Sequence, residues 1–165
     1  MERTGINRAA MVILLTCFMS FITIGQNASD LNSLSVNDEA AVKAAVDSFL
    51  VALGRGDVER VKALFLPNAN IGSVVMREGV TKIYTSSFED FIAKREAGRN
   101  FEEPVRTYTV NISQGLLAFV RADATVVIDD IPDHFTDDFF ILMKEDGEWK
   151  FLSGSYTSYP LEETE

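Results

Sequence analysis

The chain has 165 residues, 47% of them hydrophobic with 12 Phe, which suits one domain with a substantial core and excludes wholesale disorder. Its 25 acidic and 15 basic residues leave a net charge of −10, so nucleic acid and anionic lipid are poor partners. The acids are scattered, and a solvated surface accounts for them better than a cationic partner does.

Residues 1–25 differ in kind from the rest. Arg3 and Arg8 precede a nearly continuous apolar run from Ala9 to Ile24, and Thr23 and Gly25 place small residues before Gln26. This predicts a secretory signal peptide over 1–25 and a periplasmic or secreted protein that meets no membrane after its removal. The alternative is a membrane anchor formed by residues 9–25, although the run is shorter than the roughly 20 residues a spanning helix needs. Cys17, the single cysteine, lies inside this run, so a cleaved chain has neither disulfide nor thiol chemistry.

The polar, Ser/Asn-rich residues 26–34 read as a tether ahead of a domain over 35–160. Ser35 or Asn37 is placed to cap a first helix, whose Val42, Val46, Phe49, Leu50 and Leu53 share one face until Gly54 and Gly56 end it. Asp57 caps a second helix with Val58, Val61, Leu64 and Phe65 inward, and Pro67 stops it. Strands follow over 70–77 and 80–85, joined at Glu78-Gly79. Ser86 or Ser87 then caps a third helix that Gly98 closes. Residues 105–113 alternate, with Arg106, Tyr108, Val110 and Ile112 on one face. Residues 116–128 form a long strand whose Leu116, Ala118, Val120, Ala122, Ala124, Val126 and Ile128 share one buried face. Ile131 to Thr136, with Pro132 and His134, reads as a loop. Phe139 to Leu152 is a hairpin turning at Asp146-Gly147. The order α-α-β-β-α-β-β-β-β predicts an α+β fold: a cone-shaped, curved, mostly antiparallel sheet covered by three helices from the N-terminal half.

Phe49 to Asp57 (Phe-Leu-Val-Ala-Leu-Gly-Arg-Gly-Asp), Leu64 to Ile71 (Leu-Phe-Leu-Pro-Asn-Ala-Asn-Ile), Ser86 to Ile92 (Ser-Ser-Phe-Glu-Asp-Phe-Ile) and the hairpin Phe139 to Leu152 together resemble the nuclear transport factor 2-like superfamily. Within it the chain is similar to exported SnoaL-like and putative lumazine-binding subgroups, over residues 36–158. The resemblance implies the cone fold but no one activity, since the superfamily hosts isomerases, dehydratases, hydrolases, cyclases and plain binders. Ketosteroid isomerase-like members place a Tyr where this chain has Phe49 and a general-base Asp where it has Ser73. A plain serine cannot serve as base near neutral pH, so the cone is expected to lack a proton-shuttling pair. Dehydratase-like members use a His-and-Asp arrangement, and this chain has one histidine, His134.

Three readings of function follow. The first is a non-catalytic binding or accessory domain, with Phe49, Ser73, Tyr84, Arg106, Tyr108 and Tyr156 around a small hydrophobic or heteroaromatic ligand and no cofactor. The second is a small hydrolase, isomerase or lyase using His134 or an interior aspartate, Asp138, as acid or base. Without a second spaced histidine, no metal site is expected. The third, implied by the resemblance, is a homodimer through the outer sheet face, where Arg121, Asp123 and Thr125 would form a polar interface.

Overall fold

The structure, a computed structural model, describes residues 28–96 and 100–161. Residues 34–165 form one compact unit. Residues 1–33 form another, of which the described residues 28–33 are helical. The signal segment 1–25 therefore lies outside the described residues, as does Gly98. No described helix is long and apolar enough to cross a membrane.

The first helix, α1, runs from Ala28 to Arg55. It begins earlier than the capping signals suggest, and residues 28–34 are helical rather than a tether. That stretch contains no Gly or Pro to break a helix. Asp57 caps α2 (Val58–Leu64), its Oδ1 accepting from the Arg60 N–H at 3.1 Å. Ser87 caps α3 (Phe88–Glu96), its Oγ accepting from the Asp90 N–H at 3.1 Å.

The strands are β1 (Phe65–Arg77), β2 (Val80–Ser87), β3 (Val105–Ser113), β4 (Leu117–Ile128), β5 (Ile131–Glu145) and β6 (Glu148–Pro160). They form one curved, unclosed six-stranded sheet in the order β2-β1-β6-β5-β4-β3. Neighbours are antiparallel except β1 and β6, which run parallel. Two strands begin before their sequence signals. β1 starts at Phe65 because Asn68, at φ 63°, absorbs an irregularity around Pro67 and the pairing then resumes at Asn70. β5 starts at Ile131, where a loop was expected. Asp129 and Asp130, at φ 52° and 64°, make a two-residue turn from β4 straight into β5.

The core lies between α1 and the concave face. Phe49 is its hub, with ring centroids 5.2 Å from Phe65, 5.7 Å from Phe140 and 5.1 Å from Phe151. Ala118, Ala122 and Ala124 are fully buried on β4, where small side chains let other elements come close. At the narrow end the Lys144 ammonium meets Asp38 Oδ1 at 2.5 Å and lies over the Trp149 ring, tying α1 to the β5–β6 hairpin.

Candidate functional site

At the wide end the curved sheet and the helices leave a cavity of about 300 Å³. Most of its lining is apolar: Phe49, Leu50 and Leu53 of α1, Phe91 of α3, Ile71 of β1, Phe101, Val126 and Ile128 of β4, and Phe140 of β5. Polar side chains stand among them: His134, Thr136 and Asp138 of β5, Tyr156 of β6, and Glu103 from the segment before β3.

Strand alternation places the polar groups of β5. Thr136, Asp138, Phe140 and Leu142 occupy one face of β5 opposite Ala124, Ala122, Val120 and Ala118. His134 joins them by the same alternation, two residues before Thr136 and paired with Val126, and the register shifts only beyond it, at Asp133. Glu103 arrives from elsewhere in the chain. A bridge between Glu102 and Val127, bonded both ways at 2.9 and 2.8 Å, pins its segment across the end of β4.

Thr136 links the two acids. Its hydroxyl donates to Glu103 Oε1 at 2.8 Å and lies 3.4 Å from Asp138 Oδ2. Burial pushes the Asp138 carboxyl up to about 8, and the neighbouring Glu103 charge adds to it. Glu103 is raised too, first by burial, with the Thr136 hydrogen bond opposing. The Arg95 guanidinium at the cavity does not neutralise them, because it donates to the carbonyls of Leu53 at 2.7 Å and Gly54 at 2.9 Å at the end of α1. His134 Nδ1 is 2.7 Å from Asp133 Oδ2 and its side chain is 17% exposed.

The expectation of a cone without an ionisable pair is therefore overturned. Phe49 and Ser73 do lack the isomerase-type groups, but Glu103 and Asp138 place two carboxyls on one wall. Glu103 went unread because it lies outside any periodic segment. Asp138 was legible, because it shares parity with Phe140 and Leu142 in a buried strand.

Of the expected ligand contacts, Phe49 and Tyr156 line the cavity and four residues do not. Ser73 sits on β1 beyond the cavity wall, paired with Tyr156 and Tyr84. Tyr84 is 52% exposed, since β2 is an edge strand that no helix covers there. Tyr108 points to α1, donating to Asp47 Oδ1 at 2.6 Å, and burial with that bond raises its pKa. A bulge between Val105 and Thr107 turns Arg106 off the Tyr108 face; its guanidinium lies 4.4 Å from the Phe135 ring centroid and donates to the Ala124 carbonyl. Both catalytic candidates, His134 and Asp138, do line the cavity. Among the described residues no group of three His, Cys, Asp or Glu side chains could hold a metal ion.

A family model described as "Putative lumazine-binding" matches residues 37–157. The chain belongs to this family. No curated protein matches it. Among solved structures, a nuclear transport factor 2-like protein of unknown function from Silicibacter pomeroyi is 23% identical, with 76% of this chain and 98% of that chain covered at a TM-score of 0.57. A similar protein of unknown function from Shewanella baltica is 21% identical, with 76% and 97% covered and a TM-score of 0.56. A protein from Novosphingobium aromaticivorans described as "Putative Scytalone Dehydratase" is 17% identical, with 78% and 88% covered and a TM-score of 0.60. At these identities the likeness establishes a shared nuclear transport factor 2-like fold for this lumazine-binding-type domain.

Proposed function

We propose that this domain binds a small, neutral, largely apolar ring compound, heteroaromatic along one edge, in the cavity between α1, α3 and the concave sheet. The observation that carries the reading is a mostly apolar cavity lining into which a few polar groups, Thr136, Asp138, Tyr156 and Glu103, converge. Ligand sites combine apolar surface with a few convergent polar groups in this way. The family description points to a heteroaromatic compound too. On this reading the protein is a non-catalytic binding or accessory module, exported by residues 1–25, and two copies pair through the outer sheet face.

Calorimetric titration with bicyclic aromatic and heteroaromatic compounds tests the binding. The wild type is expected to bind members of the set. Ile128→Trp, which fills the cavity from the end of β4, is expected to lose that binding while melting as a folded domain. Silence of the wild type toward every compound would sink the proposal. Cell fractionation, with N-terminal sequencing for a start at Gln26, tests export.

One observation favours a second reading, acid–base catalysis on the bound molecule. Asp138, raised to about 8, changes charge near neutral pH inside the cavity, as a general acid or base must. Under this reading Asp138→Asn binds a ligand but leaves it unchanged, whereas the wild type converts it to a product visible by mass spectrometry.

A further inference from the structure

Resting on the reading of the cavity as a ligand site, we propose that Asp138 determines its specificity: as a neutral carboxylic acid it pairs with a ring compound carrying an N–H beside a C=O, the edge of a lactam, cyclic imide or ureide. Asp138 is buried on β5 and lines the cavity, yet its hydrogen bond to the Thr136 hydroxyl is a long one, 3.4 Å. That hydroxyl has one hydrogen, which Glu103 takes at 2.8 Å. Two acids thus share one largely apolar enclosure, and among the described residues that line it no cation is free to balance them. Arg95 is held by backbone carbonyls, and His134 is engaged with Asp133. Tyr156 of β6 also faces the cavity. Behind it Tyr108 of β3 is bonded to Asp47 of α1, and Asp137 and Asp123 on the other face add negative charge. Burial and the charges of Glu103, Asp137 and Asp123 favour the uncharged acid, and the Thr136 hydrogen bond opposes them.

A neutral carboxyl offers an O–H donor and a C=O acceptor side by side. A cis amide edge offers the reverse pair, so the two meet through two hydrogen bonds. An ionised carboxylate has acceptors only, and it would confront the ligand carbonyl with like partial charge. A site built around a buried hydrogen-bonding pair rejects analogues that leave one member unpaired. Anionic ligands would bring negative charge into an enclosure that already holds two acids, and are excluded for that reason.

Calorimetric titration of the full chain with 2-quinolone, N-methyl-2-quinolone, naphthalene, 2-naphthoate and protonated 4-aminoquinoline tests this. At pH 6.5, 2-quinolone is expected to bind about tenfold or more tighter than its N-methyl derivative, which lacks the N–H. That advantage should fall as pH rises through about 8. Asp138→Asn keeps a donor and an acceptor and cannot ionise, so it should retain the preference and lose the pH dependence. Asp138→Leu should bind naphthalene and 2-quinolone alike. Naphthalene binding without a lactam preference, a pH response that persists in Asp138→Asn, or tighter binding of 2-naphthoate or 4-aminoquinoline overturns the assignment to Asp138 and leaves the cavity reading standing. Failure of all five compounds overturns both.

Discussion

A carboxyl whose pKa rises on folding favours the native state only while it is protonated. For Asp138, stability is fully present below the unfolded-state value near 4 and is lost as pH climbs to the folded value of about 8. Glu103, raised too, acts in the same direction. Asp123 works oppositely: the Thr107 hydrogen bond holds its carboxyl below the usual range, so its contribution is lost as pH falls through that range. Chemical denaturation from pH 4 to 9 should therefore show a wild type most stable on the acid side of neutrality, losing on the order of a few kcal/mol toward pH 9. Asp138→Asn should remove most of that slope, leaving the part due to Glu103. A flat wild-type profile would mean that Asp138 is solvated. The tyrosines separate by the same logic of contact. Tyr108→Phe loses a bond at the rim of α1, costs about 1 kcal/mol or less, and should leave ligand binding untouched. Tyr156→Ala opens the cavity wall and should weaken binding, as titration would show.

Among the elements, the C-terminal end of α1 carries the tightest constraint. Gly54 is helical, and in an exposed helix Gly→Ala stabilises by about 1 kcal/mol. Here a Cβ would sit 2.2 Å from the Phe101 carbonyl oxygen, a backbone atom. The same turn is closed by the Phe101 N–H donating to the Gly54 carbonyl at 3.0 Å and by the Arg95 guanidinium. Gly54→Ala must therefore push back the segment that carries Phe101 and Glu103 into the cavity. We expect it to destabilise by about 2 kcal/mol or more in urea titration and to weaken ligand binding as well. Elements with local punctuation were legible from sequence. Asp57 and Ser87 cap helices, Asp146-Gly147 turns the last hairpin at φ 50° and 85°, and alternation delimits β3. What was not legible depends on partners distant in sequence. His134 reads as a loop residue beside Pro132 until its pairing with Val126 extends β5 over it and places it on the Thr136 face, and Glu103 gains meaning only through the Glu102–Val127 bridge. Arg106 was misread for the converse reason, since alternation alone does not reveal a bulge.

Across residues 34–165, one face of the sheet is covered by helices and the other is not, which gives the proposed pairing of two copies a physical basis. The outer face was expected to offer a polar interface of Arg121, Asp123 and Thr125. Instead Arg121 is occupied within the chain, at 2.9 Å from Asp123 and 3.2 Å from Asp137. Around it stand apolar side chains open to solvent, Phe119 and Phe139 at 47% and Met143 at 42%. Phe119 lies opposite Ile141 on the paired strand, and Phe139 opposite Arg121, so the patch is continuous across β4 and β5. Contiguous apolar surface of this kind marks an interaction site more often than a bare surface. The net charge of −10 opposes self-association at long range, and salt screens it. Light scattering at physiological ionic strength should thus report a dimer that weakens on dilution into low salt. Phe119→Lys and Phe139→Lys, each adding a charge to an already exposed position, should yield monomers with nearly unchanged melting temperatures. A wild type that stays monomeric at high protein and salt concentration would remove the dimer, and the outer aromatics would then require a different partner.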